Sequence, residues 1–356
     1  MSDGAFSRIT TSVGWSGLIC VILIVTGGNV LVVPQSADQL NVCHAGSVQL
    51  AFTAVENAFK AKHPDVVVND VSGGSVALAG RLAAGLQPCD VYAAADYLDV
   101  DLLLKPLGLA DYTIVFAKGR MVLAYLATDP KTQGIAGPGD FKPPASIPQA
   151  APDWYKVLLA PGVRLSSSHP FLDPGGYRSH MIFQLAEAHY NVPGLSNILL
   201  ERLVINAAAG AGQASAPILG RDFNFQFSYE HSAAAAARNS PAYRYVTVPD
   251  RIDLSNAANN SYYAQASVTM PGIGRSAAKA GVTIPAVRVA WGLTILKNSA
   301  NHEHASAFVS MLLGPVGTAA FNANGPTAIA PAVVSIDDYA RLPKSLKPLV
   351  TTGAVP

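Results

Sequence analysis

Two serines in this chain sit where an apolar strand gives way to an amphipathic run, with no charged residue beside them. Ser47 lies in "HAGSVQLAF" (44–52) and Ser75 in "VSGGSVALAGRLA" (71–83), each directly after glycine. A helix N-terminus exposes backbone N–H groups and carries about half a positive charge, so it can hold an anion without lysine or arginine. A serine there adds a hydroxyl donor, and the preceding glycine lets the backbone come close. Either serine could equally be an ordinary N-cap. A third candidate, Asp173 in "LDPGGYRSH" (172–180), precedes Pro174 and suits the start of a helix. As a cap it needs no ligand. As a pocket residue it would repel a bound anion unless a positive metal centre stood between them.

Positioning these residues requires elements that the apolar pattern supplies. Strands are predicted over 40–45, 66–71 and 89–95, alternating with helices over 47–62, 75–86 and 96–104. The first helix carries Phe52, Val55 and Phe59 on one face. Such alternation implies βαβ units and a parallel sheet, that is, an α/β fold. Ligands of such sheets bind beyond the carboxyl ends of the strands, where Ser47, Ser75 and Asp96 fall; Asp96 could also be a cap. Farther on, "YTIVFAKGRMVLAYLA" gives two strands broken at Lys118-Gly119-Arg120. "NFQFSYEHSAAAAARN" runs from strand to helix, "VRVAWGLTILKN" is a strand, and "NHEHASAFVSMLLGPVGTAAF" is a helix interrupted at Gly314-Pro315.

Composition narrows the partners. With 356 residues, 50% of them apolar and only 13% charged, the chain can bury a large core and is not disordered. A net charge of +1 argues against nucleic acid, which calls for a concentrated basic face. Residues 1–38, with Arg8 ahead of an apolar run from Leu18 to Val33, read as an export signal, or as an uncleaved membrane anchor. Cys20 lacks the small preceding residue of a lipid-attachment site. Cys43 and Cys89 are expected in neighbouring strands about three residues out of register, too far apart for a bridge, and so as buried free thiols. An enzyme is not expected. No G-x-S-x-G elbow is present to make Ser47 a nucleophile with His44, His169, His180 or His231. His302 and His304 have poor ligand spacing for a helix face.

The ordered segments "HAGSV", "GGSVALAGRLAAGLQPCDVYAAADY", "RMVLAY", "DWYKVLLAPGVRL", "LDPGGYRSHMIFQLAEAHYNVPGL", "VPDRIDLSN" and "VRVAWGLTILKNSANHEHASAFVSMLLGPVG" resemble the molybdate/tungstate-binding proteins of ABC transporters, archaeal-type branch, over nearly all of residues 39–350. The resemblance implies a two-lobed periplasmic-binding-protein fold of type II. Each lobe would be a mixed, mostly parallel sheet flanked by helices, with a two-strand hinge at "RMVLAY" and "VRVAWGLTIL". Lobe 1 would comprise residues 39–121 and 294–350, lobe 2 residues 122–293, and 351–356 a tail. It further implies an exported monomer that needs no cofactor, captures a tetrahedral oxyanion and passes it to a membrane permease. Sulfate, phosphate or thiosulfate is the alternative cargo. Residue by residue, the family's two serines fall on Ser47 and Ser75, and its aspartate near the metal centre falls on Asp173. The family also has a Glu directly before Tyr. Here "FSYEHS" puts Ser228 before Tyr229, with Glu230 after it, so a second carboxylate on the metal centre depends on a one-residue slip.

Overall fold

The computed structural model describes residues 24–26, 29–31, 38–142, 146–206, 219–273 and 281–355. Cys20 and most of residues 1–38, read above as an export signal or anchor, lie outside them. The chain makes β1 (Asp38–Ala45), β2 (Val66–Gly73), β3 (Val91–Ala94) and β4 (Ile114–Lys118). It then crosses to a second body for β5 (Met121–Leu126), β6 (Leu165–Ser168), β7 (Leu203–Asn206), β8 (Phe225–Tyr229) and β9 (Tyr243–Val246). It returns for β10 (Ala290–Ile295), β11 (Thr327–Val334) and β12 (Val350–Thr352). Two large sheets result, ordered β12-β11-β4-β10-β3-β1-β2 and β9-β5-β8-β6-β7, the cores of two lobes, while Ile24–Thr26 with Asn29–Leu31 and Ser267–Met270 with Val282–Pro285 pair as separate two-stranded ribbons. Parallel pairing is confined to β2-β1-β3 and β11-β12 in the first sheet and to β8-β6-β7 in the second. The strands flanking the two crossings, β4, β5 and β10, insert antiparallel because the chain enters and leaves each lobe through them.

Register places the first half of the site. β1 and β2 pair parallel with Ala45 opposite Gly73, so both strands end level and their following turns emerge side by side. Gly46–Val48 forms one tight 3-10 turn before α1 (Gln49–Lys62), and Gly74 leads straight into α2 (Ser75–Ala83). The α1 face foreseen from spacing is buried: Phe52, Val55 and Phe59 are fully inaccessible. It packs on α5 (His302–Leu313) and α6 (Pro315–Asn324), with Phe59 edge-on to Phe308 at 5.6 Å and Phe52 edge-on to Phe321 at 6.2 Å. Burying each such ring stabilises the lobe by about 1.5–3 kcal/mol, so the β1-α1 unit is held firmly behind Ser47.

The two crossings run side by side. Gly119 N–H donates to Val289 O at 3.1 Å, and a Cβ on Gly119 would press on the Trp291 ring at 3.1 Å. Glycine there lets the indole cover the crossing.

One expectation needs correction. Cys43 and Cys89 form a disulfide, with Cα atoms 5.9 Å apart. Cys43 is level with Tyr92, three residues beyond Cys89, as the spacing suggested. But β3 starts only at Val91, so Cys89 belongs to the loop before it. Asp90 N–H donates to Asn41 O and turns that loop back along β1, which closes the gap.

Candidate functional site

Neither serine caps its helix: no side-chain capping bond forms at either start. Each hydroxyl instead accepts a hydrogen bond. Trp291 Nε1–H donates to Ser47 Oγ at 3.0 Å, and Ala95 N–H donates to Ser75 Oγ at 2.9 Å. An oxygen whose lone pair is engaged this way has its own O–H free to give. Among the described residues no protein acceptor takes that proton at either serine. Tyr92 fixes Ser75 further by donating to its carbonyl at 2.8 Å. The lobe-1 half is thus two adjacent hydroxyl donors on well-supported turns, with no net charge.

The facing half comes from α3 (Pro174–Tyr190) and β8. Asp173 does cap α3, accepting from Gly175 N–H at 2.8 Å. Burial pushes its carboxyl above the usual range, against the pull of that N–H, of Ser168 and of Arg178. Gly176 lets the helix start lie against the preceding strand end, since a Cβ there would stand 2.4 Å from Ser168 O. One turn into α3, Arg178 is fully buried and reaches across the cleft. It donates to Ala95 O at 2.7 Å, pairs with Asp96 at 2.9 Å and donates to Tyr229 Oη at 2.8 Å. Burial works against its charge, but Asp96, then Tyr229 and Tyr177, more than restore it and raise its pKa. Tyr177 donates to Asp96 at 2.8 Å, while Asp96 also caps the turn after β3 through Leu98 N–H.

Further contacts join the lobes. Ala77 N–H donates to Leu172 O at 3.0 Å. His231, the second residue of α4 (Glu230–Asn239), places Nε2 2.7 Å from Ser47 O. A carbonyl only accepts, so Nε2 carries the proton. Burial lowers the His231 pKa to about 4, against the contact with Ser47, so the ring is neutral near pH 7. Tyr229 and His231 both pack edge-on against Trp291, at 4.9 and 5.4 Å, making an aromatic wall behind Ser47.

Ser47, Ser75, Asp173 and Tyr229 therefore border one region between the lobes, linked through Trp291, Ala95 and Arg178. Ser228 and Glu230 do not join them. Side chains alternate along β8, so Phe227 and Tyr229 are buried while Ser228 turns to the other face, opposite Val122. Glu230 pairs with Arg120 at 3.0 Å in a surface cleft beside the first crossing, lined also by Lys118, Arg238 and Asn324. Arg178 and Trp291 were not foreseen, and His231 was named only in the rejected hydrolase reading; the roles of all three depend on contacts far apart in sequence.

Two lobes joined by paired crossings, with hydrogen-bond donors gathered where they meet, are the architecture of a solute-binding protein. The chain matches the family of bacterial extracellular solute-binding proteins over residues 40–326 and belongs to it. Relatives include an uncharacterised solute-binding protein of Petrotoga mobilis, 27% identical over 92% of this chain and 94% of its own. The molybdate/tungstate-binding protein WtpA of Pyrococcus abyssi is 24% identical over 96% and 98%, and that of Thermococcus kodakarensis 26% over 89% and 88%. Among solved structures, the fold is shared with the sulfate-binding protein SubI of Mycobacterium tuberculosis (TM-score 0.53, 16% identity, covering 82% of this chain and 87% of that one). It is shared also with the periplasmic molybdate-binding protein of Azotobacter vinelandii (0.50, 17%, covering 81% and 98%).

Proposed function

We propose that the chain captures a tetrahedral oxyanion, molybdate or tungstate, between its lobes and delivers it to an ABC permease, acting as an exported monomer. The observation that carries this is the pair of serine hydroxyls, each already accepting an N–H and so free to donate, at two adjacent strand ends. Donors of this kind stabilise an oxyanion without fixing a cation beside it. Asp173 and Tyr229 complete the site from lobe 2. A carboxyl whose pKa is raised can share a proton with an anion oxygen or approach a positive metal centre, and both ease the repulsion expected of a bare carboxylate. Closure is a hinge motion about 119–120 and 287–289, where two short segments absorb the rotation.

Sulfate or another ordinary tetrahedral anion is the second reading, favoured by Ser228 standing where the family has its second carboxylate. With Asp173 alone, the anion keeps four-coordinate geometry. Calorimetric titration with molybdate, tungstate, sulfate and phosphate decides between the two. Tight binding of the first two, with no response to the others, is expected. Silence toward all four would sink the oxyanion reading.

A further inference from the structure

His44, three residues before Ser47, makes none of the contacts described above. It is fully buried at the end of β1, with Nδ1 2.9 Å from Ala45 O. Nδ1 must hold the ring proton, because the carbonyl can only accept. Nε2 lies 2.8 Å from Asp70 Oδ1 on β2, a hydrogen-bond contact whose proton a cation would replace. From α1, Glu56 brings a second carboxylate that is only 3% exposed and whose Oε1 has no hydrogen-bond partner. The three donor atoms lie within 4.8 Å of one another. Burial, then the charge of Asp70, raises the Glu56 pKa despite His44 and Lys60. A buried carboxylate oxygen without a partner, as at Glu56, is costly, and gathering it with the paired, part-exposed Asp70 about one imidazole edge favours a shared positive charge.

We propose that His44, Glu56 and Asp70 form a site for a divalent transition-metal cation, Zn2+ foremost, separate from the oxyanion cleft. One imidazole nitrogen with two carboxylate oxygens suits such a borderline cation better than Mg2+ or Ca2+, which favour oxygen ligands alone. Tetrahedral zinc ligands stand about 3.4 Å apart, so binding replaces the 2.8 Å His44–Asp70 contact, opening that pair slightly, and draws Glu56 toward it. The outer contacts of such a centre are present. Ala45 O orients the imidazole through Nδ1–H, and Gln49 Nε2 holds the other Asp70 oxygen at 2.8 Å. Asp70 is partly exposed, which leaves a path from solvent and a fourth position for water. The cation pins α1 and β2 to the strand end that carries Ser47.

The test uses the full chain without an affinity tag, stripped with a chelator and dialysed, then titrated with ZnCl2 and separately with MgCl2. One equivalent of Zn2+ is expected to bind and raise Tm, with no saturable response to Mg2+. Glu56→Gln and Asp70→Asn should each weaken Zn2+ at least about tenfold and remove the Tm shift. Ser47→Ala should leave Zn2+ binding unchanged while weakening the oxyanion. Absence of saturable Zn2+ binding overturns the proposal. So does an equivalent bound equally well by both carboxylate variants, which would place it at surface histidines such as His63 and His304. Asp70→Asn, on the exposed side, keeps the test decisive if Glu56→Gln fails to fold.

Discussion

The two faces of the cleft hold polar groups by opposite means. On lobe 1, Ser47 and Ser75 are neutral, sit on turns fixed by strand register, and owe their orientation to one indole and one backbone N–H. On lobe 2, the half-buried Asp173 and the fully buried Arg178 are ionisable and balanced by groups that belong partly to the other lobe. The serine hydroxyls take their partners, Trp291 and Ala95, from lobe 1 itself, although the Ser47 carbonyl meets His231 of lobe 2. The second face is complete only when the lobes meet. For the oxyanion proposed above, such a design would draw selectivity from neutral donors and keep its charges for the contact between the lobes.

The largest effect should come from Arg178→Ala. It leaves Asp96 buried without its cation, a change that typically costs about 3–5 kcal/mol. Chemical denaturation should show that loss, and calorimetry should show oxyanion binding abolished. If affinity survived, closure would not depend on this pair and the contrast between the faces would fail. Next, Ser47→Ala and Ser75→Ala should each weaken the oxyanion about ten- to a hundredfold, because a hydrogen bond to a charged group contributes about 1.5–3 kcal/mol. Their effect on folding should be much smaller than that of Arg178→Ala.

A pH series sharpens the comparison further. His231 has its pKa lowered to about 4 where it touches Ser47 O, and opening the cleft relieves the burial that lowers it. Between about pH 6.5 and 4 the open or unfolded protein binds the proton more readily. Affinity and stability therefore fall as pH drops through that window and are fully present above it. His231→Gln retains a donor but cannot titrate, so its affinity should change less over the same range; identical profiles would remove His231 from the closure. Asp173 titrates with both proteins and cancels in the comparison. The smallest effect belongs to Glu230→Gln. Its bridge to Arg120 is part-exposed, with side chains 31% and 40% accessible, and such pairs contribute about 0–1 kcal/mol. A tenfold loss of affinity in this variant would show that Glu230 reaches the anion after all.

Legibility in the sequence followed the range of the interactions. The strand–glycine–serine–helix turns are local, so Ser47 and Ser75 could be read from spacing, as could the break at Lys118-Gly119-Arg120 between β4 and β5. The cap at Asp173 was visible for the same reason. Arg178 was not, because its partners Ala95 with Asp96, and Tyr229, come from two other, distant stretches of chain. Spacing alone misjudged Cys89 as well: the register argument was sound for a straight strand but could not foresee the loop that turns back at Asp90. For Ser228 and Glu230, one residue of ambiguity in the motif became a question of sheet face, which the alternation of β8 answers.

The Cys43–Cys89 bridge has a consequence for where this protein can mature. It closes a span of 46 residues that contains both serine turns, with Cys43 four residues from Ser47. In the polymer description, forbidding the unfolded chain to open a loop of that length is worth about 4 kcal/mol. Thioredoxin and glutathione keep such pairs reduced inside most cells. A chain held in a reducing cytosol lacks that staple, so full rigidity of the serine-bearing face arrives only with the oxidising surroundings in which extracellular binding proteins work.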